Sequence, residues 1–390
     1  MKCVVLVLVV LSLAVMPVSQ TFAQTIEVSG WIPYWESTDG PKDARAHMEM
    51  LDVVHPFAFS VTTSGKVKDL AGLSKSSWKR MILEARSEGV LVIPTVMSSN
   101  TEAIHTILSN EKNRSAHIKA IVAMVKKGKY DGVDIDYEGK RASTNVYYSQ
   151  FLQELKRALG TKILSCTIEA RTPPDSLYKV VPTNIQYAND FGEINKYCDR
   201  VNLMTYDQQR ADLKLNDARK GAPYYPVADL EWVRKVITLA TKSIDKDKIS
   251  IGVATYGRET EVTVSPNWYQ EYKQLWSVGD EYARDTADTY DVTPSRNKAG
   301  ELSYSYFSES APKIPSTIKA PSGTPSGEVA AARALAYANA TGKSVTVNLV
   351  WWSDAEAIKQ KVMLAQQFGL QGVSIFKIDG GEDMDIWDLF

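Results

Sequence analysis

The sequence predicts an α/β protein folded as a (β/α)8 TIM barrel, with a small insertion between strands seven and eight. Three observations carry that prediction. Strand-like and helix-like apolar patterns alternate through most of the 390 residues. Eight strand-like segments can be counted, and removing the leader and one irregular stretch leaves about the ~250 residues typical of this barrel. One strand, residues 130–138, carries three carboxylates on one face, and barrels gather their chemistry where strands end.

Taken in order, residues 1–23 read as a secretory signal peptide. Lys2 supplies the positive start, and Thr21-Phe22-Ala23 resembles a small-residue cleavage site. The apolar run between them is about 14 residues, short of the ~20 that span a bilayer. An uncleaved anchor is the alternative. The first strand is expected at 26–34 and ends in aromatics that include Tyr34; the second, 52–61, ends in Phe57-Ala58-Phe59. Trp78, Met81, Ile82 and Ala85 recur at helical spacing, and Gly89 closes that helix. A third strand spans 90–97, although Pro94 lacks an amide donor.

Ile118, Ile121, Val122 and Val125 mark the helix that feeds the acidic strand. Tyr148, Phe151, Leu152, Leu155 and Leu159 form the next apolar face, ended by Gly160. Strands follow at 162–170, 201–206 and 249–256, with Trp232, Val233, Val236 and Leu239 on an intervening helix. From about residue 258 to 352 the alternation breaks. Residues 291–325 are rich in Pro, Ser, Thr and Lys and predict turns and exposed loops, while 345–351 looks like a strand. Helical spacing resumes at Ala355, Ile358, Val362, Ala365 and Phe368, Gly369 stops it, and 372–378 is the eighth strand. The expected organisation is therefore a leader at 1–23, a barrel at 24–257 and 353–390, and an insertion at 258–352.

In the acidic strand, Val133, Ile135 and Tyr137 alternate with Asp134, Asp136 and Glu138. Side chains on a strand alternate between faces, so the apolar set meets helices and the acids face inward. Same-face neighbours lie roughly 6.5–7 Å apart. Three like charges at that spacing resist joint ionisation, so at least one proton is held above its ordinary pKa. That keeps a carboxylic acid available as a proton donor near neutral pH. A calcium loop would want a glycine at its bend and oxygen ligands in a turn; here Gly132 comes first and β-branched residues interleave.

Composition excludes several classes. With 45 basic and 46 acidic residues, nothing points to nucleic acid or an anionic membrane. The histidines His47, His55, His105 and His117 show no ligand spacing, so neither metal nor cofactor is expected. Nine Trp and 19 Tyr suit sugar stacking as well as a large core. Cys166 and Cys198 are expected as two separate buried thiols, because one sits mid-strand and the other precedes the next strand in a different register.

Residues 131–138, Asp-Gly-Val-Asp-Ile-Asp-Tyr-Glu, resemble the D-G-x-D-x-D-x-E signature of family 18 glycoside hydrolases, the chitinase-like family. Met204-Thr205-Tyr206-Asp207 is similar to that family's M-x-Y-D, and residues 252–257 to its strand-seven motif. The resemblance covers nearly all of the chain after the leader. It implies a barrel with an α+β insertion and hydrolysis assisted by the substrate's own 2-acetamido group. By resemblance, Glu138 is the general acid/base, Asp136 orients the acetamido N–H, Asp134 shares a proton with Asp136, and Tyr206 donates to the acetamido oxygen. Met204 and Asp207 would shape the floor and contact sugar hydroxyls; Tyr34, Phe59 and Phe376 are candidate stacking residues. Phe376 departs from the Trp usual near the end of the last strand. The implied partner is an N-acetylglucosamine-containing polysaccharide or oligosaccharide, chitin or peptidoglycan, met by a secreted monomer with no membrane span in the mature chain. A non-catalytic lectin on the same barrel, or an endo-N-acetylglucosaminidase on N-glycans, is the alternative.

Overall fold

The computed structural model describes residues 26–390; the predicted signal peptide lies outside them. Eight parallel strands close on themselves: Glu27–Pro33, Val53–Val61, Thr95–Ser98, Gly132–Tyr137, Ile163–Glu169, Arg200–Met204, Ile249–Ala254 and Gly372–Phe376. The first pairs with both the second and the eighth, with Ser29 opposite Val53 on one side and Ser374 on the other. This is the (β/α)8 barrel.

The strand at 90–97 is broken where Pro94 interrupts it. Leu91–Val92 and Thr95–Ser98 pair separately, and the Pro94 carbonyl accepts from the Asp134 N–H at 3.0 Å. Helical apolar faces cover the outside as the spacing requires. Trp78, Met81, Ile82 and Ala85 are buried on helix Ser76–Ser87, and Tyr148, Phe151, Leu152, Leu155 and Leu159 on Asn145–Leu159. On Leu230–Ala240 the buried set is Trp232, Val233, Val236, Ile237 and Ala240, with Leu239 at its margin. Among the described residues no helix is long and apolar enough to cross a membrane.

The barrel interior is polar towards its base. Ser29 and Ser374 share a hydrogen bond of 2.7 Å, Ser374 donates to Asn202 at 2.9 Å, and Asn202 donates to Ser165 at 3.1 Å. Each buried polar atom there has a neighbour to answer it, which removes most of the cost of desolvation.

Between the seventh and eighth strands lies a five-stranded antiparallel sheet, in the order Trp268–Val278, Gly257–Ser265, Val345–Trp352, Leu302–Tyr306 and Ser295–Arg296. Helices Asp280–Thr289 and Val329–Thr341 pack on it. Residues 291–325 therefore hold more order than predicted. Leu302-Ser-Tyr-Ser-Tyr alternates at the strand period and pairs onto the 345–352 strand. One face of the sheet, through Val262, Leu349 and Trp351, joins the same apolar core as the barrel.

The expectation of two free thiols is corrected. Cys166 and Cys198 form a disulfide across 32 residues, with Cα atoms 6.0 Å apart. Cys198 caps the helix Phe191–Tyr197 and does not lie on a strand, so strand register places no limit on it. The bridge runs from the helix end to the outward face of the fifth strand.

Candidate active site

Asp134, Asp136 and Glu138 climb one face of the fourth strand, from the interior to the mouth. Asp134 is wholly buried and well supplied with donors: Thr95 Oγ1 at 2.9 Å, Thr167 Oγ1 at 2.9 Å and Trp31 Nε1 at 3.4 Å. His55 stacks on Trp31 at 5.5 Å; burial holds its imidazole below the usual value, and the Asp134 charge opposes that. Asp136 differs. It is 3% exposed, and its Oδ1 has no hydrogen-bond partner. Burial, then the charges of Glu138 and Asp134, push its carboxyl well above the ordinary range.

Glu138 follows the last residue of the strand and is half-buried. Burial lifts its pKa, the charges of Glu169 and Asp207 add to the lift, and Lys140 opposes it. Glu169 ends the fifth strand. Burial pushes it up, but Lys140, the Asn189 amide and the Gly139 N–H outweigh that and hold it below its usual value. The site thus keeps one carboxylate charged and lifts its neighbours towards the protonated form.

Tyr206 follows the sixth strand by two residues. Burial raises its phenol well above the usual value, so it stays a donor. Its ring stacks on Phe376 at 5.5 Å and 16°. Glycine is required opposite: a Cβ at Gly252 would lie 2.5 Å from the Tyr206 ring. Met204 ends the sixth strand in register with Glu169. Asp207 is exposed, and Arg258 Nη2 donates to both of its carboxylate oxygens, at 2.7 and 2.9 Å.

Phe376 is the hub of an aromatic floor. Besides Tyr206 it meets Trp31 at 5.9 Å, Phe57 at 6.1 Å and Tyr256 at 6.1 Å, the last three edge-on. Trp35, 48% exposed, leans on Phe57 at 5.9 Å, and Tyr34 on Trp35 at 5.0 Å. Phe376 ends the eighth strand and Tyr34 follows the first, so both sit at the mouth.

Phe59 does not, and is corrected. The second strand slips against the third between Phe57 and Phe59. That bulge turns Phe59 outward, into a groove of about 640 Å³ on the outer wall beside Leu83 and Met124. Phe57 takes the inward position. Strict alternation puts both rings on one face, and nothing in the sequence announces the bulge. Trp31, Tyr256, Arg258, Lys140 and Glu169 also lay outside the sequence-based set. Tyr256 lay inside the strand-seven motif, Trp31 in the aromatic-rich first strand, and Glu169 was an acid near the end of a predicted strand.

A parallel barrel with an acid ladder on strand four, a tyrosine past strand six and an aromatic floor is the architecture of a barrel-type glycoside hydrolase. The chain belongs to family 18 of the glycosyl hydrolases, whose family model matches residues 30–381. It is 22% identical over 285 residues to the uncharacterized glycosylase YvbX of Bacillus subtilis, across 72% of this chain and 66% of that protein. The spore cortex-lytic enzyme SleL of Bacillus cereus superposes with a TM-score of 0.67 at 18% identity, across 93% of this chain and 73% of that one. A chitinase of Chromobacterium violaceum gives 0.68 at 16% identity, across 94% and 98%. At these identities the superpositions show a shared fold. The chain spans 47% to 66% of the length of the first curated relatives it matches.

Proposed function

We propose that this protein is a secreted, retaining hydrolase of β-linked N-acetylglucosamine polymers, chitin or peptidoglycan, working by substrate assistance. In the first step the Glu138 carboxyl gives its proton to the departing glycosidic oxygen. The substrate's acetamido oxygen attacks the anomeric carbon, closing an oxazolinium ring as the glycosidic bond breaks. Asp136 accepts the acetamido N–H, and the Tyr206 hydroxyl donates to the attacking oxygen. In the second step water adds to the anomeric carbon, Glu138 takes its proton, and the ring reopens with configuration retained. Asp134, which accepts from Thr95, Thr167 and Trp31 beneath Asp136, would share a proton with it.

The observation that carries this reading is Asp136 Oδ1, buried and without a partner beside a raised acid. An orphaned buried acceptor is costly, and an amide N–H arriving with substrate would satisfy it. The Phe376 floor supplies a face for the sugar ring. Secretion is supported by the Cys166–Cys198 disulfide, which suits an oxidising compartment. Residues 1–23 would leave as the signal, with 258–352 forming a subdomain on the barrel of 24–257 and 353–390.

The test is turnover of chito-oligosaccharides and of peptidoglycan disaccharide fragments by Glu138→Gln. Loss of at least ~10²-fold is expected on whichever substrate the parent cleaves. Full activity in the variant would overturn the assignment. Tight binding by a parent inert on both substrates and on glycopeptides would favour a lectin.

A further inference from the structure

We propose that the ion pair Lys140–Glu169 is a positioning device for Glu138, each partner gripping one of the two peptide groups that flank it. This rests on Glu138 being the proton donor.

Lys140 Nζ donates to the carbonyl of Tyr137, the residue before Glu138. Glu169 Oε1 accepts from the N–H of Gly139, the residue after it, at 2.8 Å. Between them the Nζ–Oε2 distance is 3.6 Å, and Asn189 Nδ2 fixes the same Oε2 at 2.8 Å. The grip is placed where the sheet stops helping. Strand four ends at Tyr137, and the Glu138 N–H makes a last bond to Ser98 at 2.9 Å. Gly139 then turns the chain away with φ of +62°, a conformation that favours glycine. The Glu138 side chain therefore hangs from a turn whose two peptide planes are set by one buried pair.

That pair is not cheap to keep. The Lys140 side chain has no solvent exposure and lies over the Tyr148 ring at 4.7 Å. A lysine so placed opposes folding unless its charge is answered, and an apolar side chain of similar length would fill the space at less cost. A purely structural pair would be replaceable at no loss of chemistry. A positioning pair is not, because small displacement of a reacting group costs rate. The pair also biases the proton on Glu138 from both sides, Glu169 favouring it and Lys140 opposing it.

The test compares Glu169→Gln, Glu169→Ala and Lys140→Met with parent and Glu138→Gln on a chromogenic chito-oligosaccharide, with pH profiles of kcat/KM. Glu169→Ala and Lys140→Met are expected to lower kcat about 10- to 100-fold with KM within about twofold. The alkaline limb marks loss of the Glu138 proton. Removing the Glu169 charge should move it to lower pH, and removing the Lys140 charge to higher pH. Glu169→Gln retains an acceptor for Gly139, so it should recover most of kcat while keeping the shifted limb. If Lys140→Met does not fold, the two Glu169 variants still decide. Parent-like kcat and an unmoved limb in the Glu169 variants would overturn the proposal. Parent-like activity of Glu138→Gln would instead overturn the reading of Glu138 beneath it.

Discussion

Among the carboxyls that favour their protons, Asp136 and Glu382 do so at different depths of the barrel mouth. Asp136 does so at the base of the cleft, where burial and two acidic neighbours act together. Glu382 does so at the rim, far along the chain, wedged beside Asp43. Its Oε2 accepts from the Gly380 N–H at 2.9 Å, its Oε1 has no partner, and burial followed by the Asp43 contact pushes its pKa from 4.5 to about 8. The folded state therefore holds a proton between about 4.5 and about 8 that the unfolded chain has released. Stability from this site is full below the lower value and is lost as pH rises through the upper one. Glu382→Gln mimics the protonated form. Chemical denaturation of parent and variant should show the parent losing stability from pH 5 to pH 8, and the variant losing less. Parallel curves would mean that Glu382 titrates normally.

At the scale of elements, the bulge in the second strand divides two adjacent aromatics between two jobs. Phe57→Ala should raise KM for oligosaccharide up to about tenfold by removing one aromatic contact, with little change in melting. Phe59→Ala should leave KM alone and destabilise by about 3–5 kcal/mol, the cost of emptying a packed phenylalanine site. Steady-state kinetics and denaturant titration on both variants separate the two effects. The same strand shows where the sequence was legible and where it was not. Periodicity located all eight barrel strands and the three inward acids, because period 2 against period 3.6 is a local property. Residues whose place depends on a neighbouring strand stayed hidden. The slip that turns Phe59 outward is set by the third strand, where Pro94 has already broken the ladder. The disulfide is hidden for a related reason, since a helix end and not a strand presents Cys198. Lys140 and Glu169 lie 29 positions apart and meet only once two strands are side by side.

At the scale of the whole molecule, one buried acid adds a polar tie to the apolar contact between the sheet of residues 257–352 and the barrel. Glu301 has no solvent exposure. It accepts from the backbone N–H groups of Val227 and Ala228 at 3.0 Å each, from Trp351 Nε1 at 2.7 Å and from Lys361 Nζ at 3.2 Å. Burial raises its pKa, and Lys361 and the other donors act against that. Glu301→Ala would strand a buried ammonium and two amides, so a loss of about 3–5 kcal/mol is expected in denaturant titration. A loss below about 1 kcal/mol would show that water reaches Lys361 and answers it. Barrel proteins are often described as frames whose excursions can be exchanged one at a time. Here that freedom ends at Lys361, which sits on the frame while its counter-charge sits on the excursion. A recombination event that traded residues 258–352 for another sequence would have to bring a carboxylate to the same point or replace the lysine in the same step.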